Sequence, residues 1–265
     1  MAIDMLSSIR SMSHRAATLA YGRFRLSSSP RCGNRILMYH AIGSPVADDI
    51  RGLYNMPFVQ FETHMRFLAQ YYGDKLISLK HSIVTTEPFT ISLTFDDGFR
   101  DNLTHAAPFL VNMGIPFTVF ICTGSVAKRD KNFLSPEDVR TLAGMPGASI
   151  GSHTINHPHL VMLDDRRIHN ELAGSKAYLE DLVGTEVTLL SYPHGSVNRK
   201  VRDIAGQIGY QIGATSRFDI NQQGRDPLLL CRTDIWAQDN LPVFEQKLRG
   251  DWDWNRWRTA DPSQQ

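Results

Sequence analysis

Asp96 and Asp97 stand side by side at the end of the apolar run Ile91–Phe95, with Gly98 directly after them. Two adjacent carboxylates there are costly to place unless something cationic meets them. Successive side chains at a strand end point in different directions, so one aspartate can face a metal ion while the other faces a reacting centre. A turn in which an aspartate caps the next helix explains this stretch equally well when it is read alone. The second cluster lies in "IGSHTINHPHL", where Ala148–Ser152 leads into His153 and His157 follows four residues later. On a helical turn this spacing puts two imidazoles on one side, at a separation that suits one zinc ion. Imidazoles plus a carboxylate form a common ligand set for catalytic zinc, with open positions left for water and substrate. The two clusters together point to a catalytic metal site. A third residue of interest is His40, which ends the apolar run "RILMYHAIG". For a lone ring, a hydrogen-bonded, half-buried histidine is the plainer reading.

Strand-like runs alternate with helical patterns along the chain. The sequence predicts strands over Ile36–Ala41, Lys75–Leu79, Thr90–Phe95, Phe117–Cys122, Ala148–Ser152, Thr188–Tyr192, Gln211–Ala214 and Leu228–Ile235. Between them, Phe58, Phe61, Met65 and Leu68 form one apolar stripe, and Leu103, Ala106, Ala107 and Leu110 another. Ser135-Pro136-Glu137-Asp138 reads as a capped helix start, and a long helix follows Asp164. This alternation means a parallel α/β fold. Seven or eight such units suffice to close a (β/α) barrel in a single domain, with an open doubly wound sheet as the alternative. No GxGxxG follows a strand, which leaves a dinucleotide fold without support.

The chain has 265 residues, 42% of them hydrophobic and 21% charged, so it can bury a sizeable core. A net charge of +1 gives no broad basic face for nucleic acid. Cys32, Cys122 and Cys231 are far apart and odd in number, which weakly suits a reducing compartment. No run reaches the ~18 apolar residues of a membrane span, and no secretory signal is visible. Met5, Ile9, Met12, Ala16 and Leu19 repeat at helical spacing among arginines. They could form a basic amphipathic helix on a membrane surface, or a helix packed on the domain. The expected organisation is a basic leader over residues 1–33, a catalytic domain over 34–250 and a Trp-rich tail over 251–265. The tail packs three tryptophans into six positions, as a cap on the fold or an aromatic surface.

The motifs "TFDDG" (Thr94–Gly98) and "HTINHP" (His153–Pro158), in this order, resemble those of the polysaccharide deacetylases, which share the chitooligosaccharide deacetylase homology domain. The resemblance runs from roughly Arg35 to Ile235. It implies a metal-dependent hydrolase of N-acetylated sugars on a distorted barrel. Asp96 would be the general base, and Asp97, His153 and His157 the ligands of Zn2+ or of another divalent ion such as Co2+, Mn2+ or Ni2+. The family's third motif corresponds to "SYPHG" (Ser191–Gly195), with Ser191 where the family has Arg and His194 where it has Tyr. The backbone N–H of His194 can still serve as an oxyanion donor, with Tyr192 beside it. Arg232, inside "LLLCRTDIW", is the candidate to replace the missing arginine beside Asp96; an exposed strand face is its alternative. Asp234 and Trp236 loosely match the fourth motif, a polar tuner and an apolar wall for the acetyl methyl.

The family's acid is a histidine in a Leu-x-x-His motif near the C-terminus, yet no histidine follows His194 here. Leu37-Met38-Tyr39-His40 has that pattern at the other end of the chain. First and last strands are neighbours in a closed barrel, so His40 could reach the same spot. "YHAIG" also resembles the permuted exopolysaccharide and poly-N-acetylglucosamine deacetylases. His159 is expected to point away from the metal pair, and His64, His81, His105 and His169 to lie on the surface. The expected partner is an N-acetylated saccharide, with no nucleic acid and with membrane contact only through the leader. The expected location is the cytoplasm or the inner membrane face. The alternatives are a catalytically silent carbohydrate-binding relative, or a hydrolase of another C–N bond or an O-acetyl ester.

Overall fold

The computed structural model describes residues 32–47, 49–258 and 260–262. The basic helix expected before residue 32 lies outside them. Among the described residues seven strands form one parallel sheet: β1 (Gly33–Tyr39), β2 (Phe89–Phe95), β3 (Phe117–Ile121), β4 (Ala148–Ser152), β5 (Leu189–Ser191), β6 (Ile212–Ala214) and β7 (Thr233–Asp234). Their order is β6-β5-β4-β3-β2-β1-β7, a half-barrel wrapped by helices, in keeping with a distorted (β/α) barrel. The strands read as continuous apolar runs because both their faces are covered, as parallel sheets require. In β1 and β2 every residue after the first is buried.

The helices are α1 (Phe58–Tyr72), α2 (Ala107–Asn112), α3 (Thr123–Ala127), α4 (Pro136–Ala143), α5 (Asp165–Val183), α6 (Arg199–Ile208) and α7 (Leu241–Arg249). Side-chain caps set several starts: Ser135 and Asp138 form a capping box on α4, and Asp164, Asn198 and Asn240 cap α5, α6 and α7. The α1 stripe of Phe61, Met65 and Leu68 packs with Tyr39 and Phe95 in the main core. Among the described residues no helix is long and apolar enough to cross a membrane.

Two predicted strands differ. Lys75–Leu79 makes only a single bridge, Leu76 to Ile91, after the 3-10 turn Gly73–Lys75. The stretch Leu228–Ile235 is broken. Pro227–Leu229 is a 3-10 turn, Leu230 bonds to β6, and the chain pairs with β1 only at Thr233 and Asp234. The break is where Arg232 turns inward, its backbone N–H donating to Arg217. The same few residues thus touch both edge strands of the sheet. In the tail, Trp252 is buried against Phe218 and Val243, while Trp257 is 76% exposed.

Candidate active site

The carboxyl ends of the strands open into a cavity of about 680 Å3 whose lining includes His40, Asp96, Asp97, His153, His157, His194 and Asp234. Strand ends are where parallel α/β folds gather their chemistry. Asp96 continues β2, and its backbone N–H donates to Tyr39 of β1. Asp97 takes φ +70, the left-handed region, and turns its carboxylate away from that of Asp96. Thr154, His157 and His194 are also left-handed, so four of the five such non-glycine residues described lie at this rim. Strain of this kind survives only where surroundings enforce it. Glu171 of α5 does so for the His153–His157 loop, accepting from the backbone of Ile155 and Asn156 at 2.9 Å each. The loop is not the helical turn expected: with Thr154 and His157 left-handed, the two rings converge by a different path.

The buried Asp96 accepts three hydrogen bonds from two side chains. Arg232 donates to both carboxylate oxygens, at 2.6 and 2.7 Å, and Ser191 donates at 3.1 Å. Arg232 itself is fully buried and donates further to Ser191 (2.8 Å) and to the carbonyl of Thr215 (2.8 Å). Ser191 therefore occupies the gap that a smaller side chain leaves for a guanidinium arriving from another strand. Burial alone would raise the Asp96 pKa; Arg232 and His153 outweigh it and hold the carboxyl well below its usual range.

Asp97, His153 and His157 offer ligand atoms that all lie within 4.8 Å of one another. Nε2 of His153 and Nε2 of His157 are 3.1 Å apart, and each is 3.4 Å from Oδ1 of Asp97. Ligands about 2.1 Å from a tetrahedral zinc stand about 3.4 Å from each other, so the set fits such an ion. His153 Nδ1 donates to the carbonyl of Ser191 at 2.8 Å, which leaves Nε2 as the lone-pair nitrogen facing its neighbours. Burial, aided by His153, lowers the His157 pKa to about 4 and keeps that ring neutral. Burial lowers His153 less than Asp96 and Asp97 raise it.

Across the cavity, His40 follows β1, with its ring 4.5 Å from that of Tyr54. Asn102 donates to its carbonyl at 2.8 Å, and Asp101 accepts from Ile42 and Ser44 just beyond it. "FDDGFRDN" thus supplies the acidic pair and also anchors the loop that carries His40. Asp234 faces the same cavity from β7, and burial pushes its carboxyl up. His40 Nδ1 and Asp234 Oδ1 are both buried without a hydrogen-bond partner among the described residues.

Two expected site residues lie elsewhere. Tyr192 is fully buried under the sheet, its hydroxyl donating to Leu228 at 3.0 Å, because side chains alternate and Ser191 already faces the site. Trp236 does not line the cavity; its indole N–H donates to Asp234 at 2.7 Å. His159 stacks 4.0 Å from the His194 ring but is exposed and does not line the cavity, as expected. His81, His105 and His169 are exposed as expected, but His64 is fully buried. Tyr54 and the stacked pair Phe99 and Phe133 form an aromatic wall that no motif marked.

The polysaccharide deacetylase family profile matches residues 83–213. YxkH of Bacillus subtilis, whose name assigns it to the polysaccharide deacetylases, is 33% identical over 186 residues, covering 68% of this chain and 63% of its own. The chain thus spans somewhat less than two thirds of that relative. The Streptococcus pyogenes deacetylase PplD, solved with acetate, superposes with a TM-score of 0.71 at 22% identity, covering 83% of this chain and 99% of that one. IcaB from Ammonifex degensii superposes at 0.65 with 20% identity, covering 86% and 98%. At these identities the two superpositions speak for the fold.

Proposed function

This chain carries a polysaccharide deacetylase domain, and from that premise we propose that it is a metal-dependent N-deacetylase of N-acetylhexosamine units in a saccharide. The observation that carries this reading is one cavity lined by a clamped carboxylate, a carboxylate–diimidazole set and a histidine. Asp97, His153 and His157 would hold the ion, which supplies Lewis acidity toward the acetyl carbonyl and toward water. Asp96 accepts the proton of the attacking water; its ion pair with Arg232 keeps it a carboxylate and fixes the oxygen that does so. The His194 backbone N–H is the proposed donor to the developing oxyanion. His40 gives a proton to the amine nitrogen as the C–N bond breaks. The lining contains no Lys or Arg, which suits an uncharged sugar better than a uronate or phosphate.

The test is acetate release from N-acetylated oligosaccharides with and without divalent metal. Wild type releases acetate only with metal, and Asp96→Asn lowers the rate roughly 10²- to 10⁴-fold while metal content stays unchanged. No release across a panel of N-acetyl sugars would overturn the reading. Release from O-acetyl sugars alone would move the activity to ester hydrolysis.

A further inference from the structure

Behind Asp234 lies a buried charge that the proposed reaction does not use. Lys247, on α7, is fully buried, and its Nζ donates to the Asp234 carbonyl (2.7 Å) and to Asp239 Oδ2 (2.5 Å). The ammonium sits 3.8 Å from the ring centre of Trp236, 5.2 Å from Trp252 and 5.7 Å from Phe218, an aromatic cage. Asp239 Oδ2 also accepts from the Trp236 backbone N–H at 2.7 Å, and the Trp236 indole reaches the Asp234 carboxylate. The network extends to the other flank of the acid. His64 Nε2 donates to the Asp239 carbonyl at 2.8 Å, so its Nδ1 accepts from the Tyr39 hydroxyl at 3.1 Å. Tyr39 directly precedes His40.

A buried ion pair is expensive to assemble, and an apolar pair of similar volume is often as stable. Here each member makes contacts that an apolar residue could not. They end on the backbone and carboxylate of Asp234 and on the residue next to His40. We propose that Lys247, Asp239 and Trp236 are positioning residues that hold Asp234 against the His40 side of the cavity, so that proton delivery to the leaving amine depends on them. This rests on the deacetylase reading above. It differs from a packing role because it concerns one step, protonation of the leaving group.

That step can be isolated by the leaving group. An amine needs His40's proton as the C–N bond breaks, whereas 4-nitrophenyl acetate expels a phenolate that needs none. Trp236→Phe keeps an aromatic ring beside Lys247 and removes the indole N–H together with the pyrrole part of the ring. We expect it to lower acetate release from an N-acetyl chitooligosaccharide about 10- to 100-fold, with KM and metal content near wild type. Hydrolysis of 4-nitrophenyl acetate should fall no more than about twofold. Lys247→Met should show the same selective loss, and the milder tryptophan variant decides the matter if the lysine variant fails to fold. Parallel loss on both substrates, or a wild-type ratio between them, would overturn the proposal while leaving the deacetylase reading intact. A wild type that cleaves neither substrate would overturn both.

Discussion

On the β2–β4 side of the cavity, carboxylates and imidazoles meet each other, a guanidinium or a carbonyl, on a backbone bent into left-handed turns. On the β1–β7 side, His40 and Asp234 each keep a buried atom without a partner among the described residues, and their support comes from an aromatic cage around Lys247. The first side has its charges settled before any substrate arrives. The second leaves the proposed acid, His40, and the Asp234 carboxylate facing the cavity, as the proposed proton transfer requires. In the proposed reaction, preorganised charge and proton delivery thus fall on opposite walls, built from opposite materials.

The comparison can be broken most sharply on the charged side. His153→Ala removes one ligand and the link to Ser191; metal content by elemental analysis and acetate release should both fall to background. Retained metal would mean that His153 is not a ligand. Next in size, Arg232→Met strands Asp96 as a buried, unpaired carboxylate and should cost about 3–5 kcal/mol in denaturant unfolding. It should also change the acid limb. The depressed Asp96 pKa contributes stability above the unfolded carboxyl value of about 3.9, and that contribution drains as pH falls through the folded value. In Arg232→Met the acid decline should be shallower; an unchanged slope would show that the pair does not set it. The smallest effect belongs to the other side. Burial, against the pull of Asp239, lowers the His64 pKa to about 4. The unfolded chain then takes up the proton first, so stability should decline between about pH 6.5 and pH 4, by up to about 3 kcal/mol. His64→Gln should flatten that window, and a decline of wild-type size would remove His64 as its source.

Much of this was legible in the sequence where local pattern and chemistry coincide. Apolar runs marked all seven strands, and capping residues marked α4 and α5. The acidic pair and the two histidines announced themselves by cost and spacing. What stayed hidden depended on residues far apart in the chain. The β7 stretch looked like one long strand because apolar content does not register that Arg232 must leave the ladder to reach Asp96. Tyr192 looked like a site residue because a motif has no faces, whereas a strand alternates them. His64 looked like a surface ring because its partners, Tyr39 and the Asp239 carbonyl, are 25 and 175 residues away. Tyr54, Phe99 and Phe133 are aromatic residues like any others until the loops assemble.

Arg35, on β1, is fully buried, and its guanidinium donates to Asp253 at 2.6 and 3.0 Å, 218 residues later. It also donates to Thr233 on β7. During synthesis at about 5–20 residues per second, that arginine waits roughly 10–40 s for its carboxylate. A charged side chain inside the first strand cannot be buried for good in the interval. Burying that guanidinium before its carboxylate arrives is costly, so the wall that carries His40 gains its full stability only once Asp253 has packed against β1.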